Sequence, residues 1–595
     1  MNKLSNINIR ATSLRAFWGE KYKKSIYLSY GAKHNLDFCE IINNRIPVFD
    51  DLCASSRDIT RCHQFCKKYY YEILPVLVAK LNKIHGVSLS TAFWQIAFGY
   101  WLYRHIAVAY YKYSILKNFD IDNTDIKLLD EKSFYVPENH VDYLSCFSAD
   151  FGVQQLVSQY YYMYQTKEKP IVNYGFSGIW HRNGIKPRFR GKAQLKKIFY
   201  EGKHVIKKIL SVRNQASLKA EIALCGVSYS PGIFKALYEK SNGRIQSFTI
   251  PQIKVIDKNI NFDKRRQFFV TNPDKTFDAY FLNTLIYCLP KVFLEHFDQY
   301  YSRFTKHLKT QRFNYIVAEN WIGYVPNAIY IGLAKEKGIK FICKEHAASD
   351  IILRNTMAFV GYDISDINLV VHKSENRGKN VIGGFACREI IKYKFNTANE
   401  AILFIARTKF LFMTEMVQYN AVNSTFVKEL RLIDDFINFL PGYLNRQLCF
   451  RPRKVNHNFC WNIEKKLDLE KRNIKIDCND FVSSILQSRI VVIDHISTGI
   501  AEIIHMGAPF ILLYDIDFLP LSEEIASIFK ELVACGVVHS SAQSAVSHIE
   551  KIYANVQKWW QSNSVCAAIE KLKNTCYAEP GRNIDYLLSL LEKNN

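Results

Sequence analysis

At 595 residues the chain is too long for one ordinary core, so two or three domains are expected. A hydrophobic fraction of 48% with 23% charged residues excludes a disordered chain. The formal net charge of +24 calls for anionic partners, but the basic residues are spread out, with no zinc-finger spacing, RNP-type motif or concentrated basic arm; phosphorylated or acidic substrates near an anionic membrane surface are therefore favoured, and no nucleic acid is expected.

Residues 1–15 lack the apolar core of a signal peptide, so a cytoplasmic chain with reduced thiols is expected. The 15 cysteines are scattered. Cys62 and Cys66, with His63 between them, have no second close pair to complete a zinc site. A first strand is predicted at 24–30, then a long helix over 62–84 with Pro75 inside it. His85-Gly86 ends that helix, and Ser88 or Ser90 caps the next. Residues 92–113 approach the length of a membrane span, but Gln95, Arg104 and His105 fall inside. A buried aromatic helix, or one lying at the membrane interface, fits better than a spanning one.

The run Leu81-Asn82, Ile84-His85, Phe93-Trp94 and Gly99-Tyr100-Trp101-Leu102 resembles a family of transferases encoded in bacterial O-antigen and surface-polysaccharide regions. Trp18 and Leu289-Pro290-Lys291-Val292-Phe293-Leu294-Glu295 fit the same resemblance, as does Ile364-Ser365-Asp366. At Glu345-His346-Ala347-Ala348 the family shows Gln-His-Gly-Gly; His346 matches, while the flanking residues depart from it.

Residues 118–170 have weak periodicity and read as loops and short helices. From 170 to 213 the chain is strongly basic, with Arg182, Lys186, Arg188, Arg190, Lys192, Lys196 and Lys197. A solvated loop or an acceptor-facing patch explains such a run. Strands are predicted at 221–228, 245–250, 315–318, 339–343 and 367–371, with helices at 231–240 and 326–337 between them. Strand–helix–strand rhythm argues for a parallel sheet. The paired glycines of 381–385 suit an interdomain link.

A second series begins with strands at 401–406 and 447–450, a short one at 474–477, and helices at 424–440 and 480–487. The stretch 490–514 then reads as strand, polar tip, helix and strand. Gly507 and Pro509 stop its helix. In such a βαβ unit, ligands bind outside the carboxyl ends of the strands. That places Asp494, His495, Ser497 and Thr498 at a mouth where a helix N-terminus suits phosphate. Glu502, one turn further, is in reach of a sugar hydroxyl. Arg407, Lys409, Arg451, Arg453 and Lys454 follow strands on the same edge and would clamp phosphate oxygens. The stretch also resembles the donor motif of polysaccharide transferases and of the polyol-phosphate polymerases of teichoic acid synthesis. Further helices are expected at 522–534, up to about 560, and over 582–591.

These elements predict an α/β fold of two Rossmann-like domains, GT-B-like, facing a cleft, with a helical N-terminal insertion at about 60–220. Residues 1–385 form the acceptor side and 386–595 the nucleotide-donor side. His346, Glu345 and Asp494 are the candidate catalytic residues, Glu319 being a further available carboxylate. Arg407, Lys409, Arg451, Arg453, His495, Ser497, Thr498 and Glu502 are the candidate donor ligands. No P-loop or nucleophile elbow is present. Asp515-Ile516-Asp517 is a D-x-D pair, but transfer without metal or other cofactor is expected. The resemblance implies a glycosyltransferase, peripheral to the inner membrane, that moves a sugar from a nucleotide-activated donor to a lipid-linked or growing glycan. A CDP-polyol phosphotransferase and a non-catalytic assembly scaffold are the alternatives.

Overall fold

The computed structural model describes the chain apart from residues 1–2, 21–23, 43–45, 50–54, 175–219, 228, 256–258, 269–273, 320–326, 346–356, 372–380, 384–389, 413–422, 454–459, 516–520, 522, 578–580 and 593–595. His346, the basic run 182–197, Lys454 and Asp517 therefore lie outside the described residues.

Two six-stranded, wholly parallel sheets carry the architecture, as the strand–helix–strand rhythm predicts. The first runs in the spatial order Val381–Gly383, Ile367–Val370, Lys340–Lys344, Tyr315–Glu319, Ile222–Cys225, Ile245–Ser247. Its strands are apolar on both faces because both faces are covered. Ala223, Cys225, Ile316 and Phe341 face an aromatic helical layer, while Ile222, Leu224, Val317 and Ile342 face the other side. The second sheet has the order Lys475–Ile476, Leu448–Pro452, Ala401–Ala406, Ser488–Ile493, Phe510–Leu513, Val538–His539. Along its central strand, Ile490 and Val492 enter one core, and Val491 and Ile493 enter the other.

Several elements differ from expectation. Val381–Gly383, the first part of the expected linking segment, forms an edge strand paired with Ile367–Val370, and residues 384–385 lie outside the described residues. Glycine needs no room for a side chain, and an edge strand tolerates its weak propensity. A strand at Ile7–Arg10 precedes Ser25–Tyr27, and both pair in a small parallel sheet with Thr124–Asp125. The weakly periodic 118–170 region contains two buried helices, His140–Phe147 and Asp150–Tyr164. A further helix, Asn563–Cys576, lies between the two predicted closing ones.

The helical layer holds Ser56–His85 and Thr91–Leu116. Gly86 closes the first in a left-handed turn (φ 61°), and the Ser90 hydroxyl caps the second at Phe93 N–H. Thr91–Leu116 is buried nearly throughout, so its apolar length serves a core. Among the described residues no helix is long and apolar enough to cross a membrane. The residues that carry the family resemblance meet at one joint. Trp94 Nε1 donates to Asn82 Oδ1 at 2.8 Å, His85 Nε2 lies 3.1 Å from the Phe293 carbonyl, and Trp94 stacks on Phe297. Arg265 grips Glu295 with two hydrogen bonds of 2.6 and 2.7 Å in a buried pair.

Candidate functional site

Numbered along the chain, the strands of the second sheet lie in the order 3-2-1-4-5-6. Connections leave strand 1 toward one side and strand 4 toward the other, which opens a crevice at the carboxyl ends of this pair. Strand 1 is Ala401–Ala406 and strand 4 is Ser488–Ile493; Ile405 pairs with Ile493. Arg407 and Asp494 are therefore the first residues past the two ends at the switch point.

Asp494 is buried there. Its carboxylate accepts the Arg407 backbone N–H at 2.9 and 3.2 Å and lies 2.6 Å from His495 Nδ1. With Nδ1–H donating to the carboxylate, the neutral ring presents Nε2 as its acceptor. Ser497 caps the following helix, Thr498–Met506: extended at φ −154°, it accepts Gly499 N–H at 3.2 Å. Thr498 is the first helical residue and half-buried. Gly507 ends the helix in the left-handed region (φ 76°), as predicted. Glu502, one turn into the helix, is buried, as Asp494 is.

The side chains of Arg407 and Lys409 turn away from solvent and converge on Glu429 of helix Asn423–Phe439. Arg407 Nη2 lies 3.2 Å from both Glu429 oxygens, and Lys409 Nζ lies 3.0 Å from Oε1. With Asp494 also acting on both side chains, two cations face two carboxylates at the switch point. Burial drives the Lys409 ammonium down to about 8 against the pull of Glu429. Burial acts upward on Glu429, yet Lys409 and Arg407 hold it below the usual carboxylate value. Arg451 sits within its strand, paired with Ile405, and not past the strand end as expected. It bonds buried Asp477, the Asn479 carbonyl at 2.9 Å and Ser484 Oγ at 3.2 Å. Arg453 is exposed just beyond that strand.

At the carboxyl edge of the first sheet, Glu319 and Lys344 end neighbouring strands as a buried pair at 3.2 Å. The Glu345 backbone N–H continues the ladder to Leu369 O, and its Oε2 accepts Val371 N–H at 2.7 Å. Buried Tyr577, from the second series, lies beside the Glu345 charge and 6.1 Å, ring to ring, from His505. The structure thus brings together Arg407, Lys409, Asp494, His495, Ser497 and Thr498 around the switch point, and puts Glu345 at the other sheet's edge. Among the described residues no group of His, Cys, Asp and Glu is arranged to hold a metal ion.

Glu429 and Asp477 anchor the basic residues but carry no motif. One signal points to Glu429. It lies three residues after Phe426 and four before Ile433, on the apolar stripe of its helix, where an unpaired acid is out of place.

The model of the LIC12162 family transferases matches residues 8–590. No curated protein matches the chain. Among solved structures, MurG of Acinetobacter baumannii is 10% identical with a TM-score of 0.33, covering 63% of this chain and 99% of its own. Anabaena Alr3699/HepE, in complex with UDP and glucose, is 12% identical with a TM-score of 0.33, covering 63% and 100%. The glycosyltransferase SnogD of Streptomyces nogalater is 8% identical with a TM-score of 0.31, covering 62% and 99%.

Proposed function

The chain belongs to the LIC12162 family of transferases, and from that premise we propose that it is a glycosyltransferase of bacterial surface-polysaccharide synthesis. It moves a sugar from a nucleotide-activated donor to a lipid-linked or growing glycan at the cytoplasmic face of the inner membrane. The observation that carries this reading is the switch point of the second sheet, where two strand ends and a capped helix N-terminus meet.

The amino end of helix Thr498–Met506, with its partial positive charge, holds the donor diphosphate, with Ser497 and Thr498 at its rim. The Arg407 and Lys409 cations and the exposed Arg453 favour the departing nucleotide. Asp494 is spent on the Arg407 N–H and His495, so it positions the imidazole. His346 serves as the general base, with Glu345 beside it, from the acceptor side (residues 1–385). The donor side is 386–595, and transfer needs no metal.

Thermal stabilisation by UMP, CMP or GDP tests the donor site, and product analysis with nucleotide sugars against CDP-glycerol tests the reaction. Thr498→Ala is expected to weaken nucleotide binding about fivefold to tenfold at little cost in stability. No stabilisation by any nucleotide overturns the reading, and transfer from CDP-glycerol alone moves the chain to the polyol phosphotransferases.

A further inference from the structure

The small N-terminal sheet has two unlike faces. Ile7, Ile9 and Leu28 enter a hydrophobic core or are buried with it. The alternate positions are Asn8, Arg10 and then Thr12 on one strand, and Ser25, Tyr27 and then Ser29 on its neighbour. Asn8 pairs with Ser25 and Arg10 with Tyr27. Thr12 and Ser29 lie just past the two strand ends, where the Leu28 N–H still donates to the Arg10 carbonyl and Ser29 is still extended (φ −162°, ψ 162°). A buried strand face is ordinarily apolar. This one carries polar groups beside Tyr27, and its end is out of solvent: Thr12 is 0% exposed and Ser29 2%.

Its polar atoms are not satisfied. Asn8 Oδ1, Arg10 Nε, Thr12 Oγ1 and Ser29 Oγ have no hydrogen-bond partner. Buried polar atoms without partners are rare, and the Thr12 and Ser29 hydroxyls, both out of solvent, call for a group that fills them. Asp125 pairs with Asn8 at the far end of the face, whereas the Thr12–Ser29 end is flanked by cations. The Arg10 guanidinium lies 4.3 Å from the Trp18 ring centroid and 5.4 Å from that of Tyr27, and Nη1 donates to the Tyr27 hydroxyl at 3.2 Å. Lys33 Nζ lies 5.3 Å from the same Tyr27 ring. The Asp150 carboxylate next to this end is occupied by the Ser13 N–H and hydroxyl and faces His34.

We propose that this face is a second oxyanion site, separate from the donor crevice, with the Thr12 and Ser29 hydroxyls as donors and Arg10 and Lys33 as counter-charges. It takes a phosphoryl or carboxylate group. Gly31 packs directly on the Leu411 carbonyl, in the loop that starts at Arg407, so the site adjoins the second sheet's switch-point loop. Lys112 Nζ, 5.6 Å from the Phe412 ring, approaches the same loop from helix Thr91–Leu116. The site stands whether or not the chain transfers sugars.

Calorimetric titration of the whole chain with inorganic phosphate, and separately with glucuronate, tests it and distinguishes the two sources. Binding of either ligand is expected in the wild type and at least tenfold weaker in the Thr12→Val/Ser29→Ala double variant. The variant's unliganded melting temperature serves as the folding control. Thr498→Ala, which leaves this face intact, is expected to keep the affinity, so loss of donor binding and loss of this site remain distinguishable. A crystal soaked with selenate is expected to show an anomalous peak within hydrogen-bond distance of Thr12 Oγ1 and Ser29 Oγ. Equal affinity in the double variant, no binding of either probe, or an ordered water alone between the hydroxyls overturns the proposal.

Discussion

Glu429 holds two cations below the crevice, and its removal leaves Asp494 as the nearby carboxylate that still acts on both. Leaving Arg407 and Lys409 side by side in a buried site costs on the order of 3 kcal/mol. Glu429→Gln is therefore expected to lower the unfolding free energy by about that much in urea titration. Adding Lys409→Met should restore part of the loss, because one uncompensated charge is gone. An additive double variant would mean that the two groups do not share their energy. His105 gives a pH test. It is fully buried between the Tyr143 hydroxyl at 3.0 Å and Thr284 Oγ1 at 2.8 Å, and burial depresses it from 6.5 to about 3. In the unfolded chain the ring takes a proton below about 6.5, whereas in the folded chain it stays neutral down to about 3. Its contribution is thus complete above 6.5 and declines as pH falls through that window, by on the order of 1 kcal/mol per pH unit. Denaturation curves at pH 7, 6 and 5 should fall less steeply in His105→Gln than in the wild type. Parallel curves would remove His105 from the acid response.

Elements buried on two apolar faces were the easiest to see in the sequence. Ala401–Ala406 is an unbroken run because cores lie on both sides, and Pro231–Lys240 has its proline at the start and the Ser230 hydroxyl as its cap. Asp150–Tyr164 was hidden for the opposite reason. It is buried almost all round while carrying Gln154, Gln155, Ser158 and Gln159, so no apolar stripe marks it. The strand Ile7–Arg10 was obscured by Asn8 and Arg10, polar residues on a face that folding nevertheless covers. The crevice residues at 494–498 were legible because a β-branched run ends in a cap and a helix. The burial of Arg407 and Lys409 was not, since it depends on an acid about 20 residues away, on a helix whose packing partner is tertiary. Packing also sets the helix crossing at Gly332. A side chain there would put its first carbon 2.7 Å from Phe93 Cδ2 and 3.2 Å from the Phe93 carbonyl. Gly332→Val is expected to cost about 1–3 kcal/mol by forcing helices Asn327–Glu336 and Thr91–Leu116 apart. A melting temperature equal to the wild type's would show that the crossing is slack.

The chain is tied together at both ends across its two sheets. Near the amino end, Tyr27, Ala32 and Ile41 join the core beneath the second sheet, and Lys466 Nζ donates to the Leu36 carbonyl. At the carboxyl end, helix Arg582–Glu592 returns to the first sheet, where Leu587, Leu590 and Leu591 pack with Ile222, Leu224, Val317 and Leu369. Arg244 reinforces that return by donating to the Leu591 carbonyl at 2.9 Å while holding Glu221. The two sheets therefore do not fold as independent halves of the chain, since each core contains residues from the far end. Leu587→Ala tests this. Truncating a fully buried leucine costs about 2–5 kcal/mol, and the cavity opens under the first sheet although the residue belongs to the last helix. Hydrogen exchange should accelerate in peptides spanning Ile222–Cys225 and Tyr315–Glu319 before it changes in Ala401–Ala406. Acceleration confined to the second sheet would mean that the terminal helix belongs energetically to its neighbours in sequence, and that the strap across the molecule bears no load.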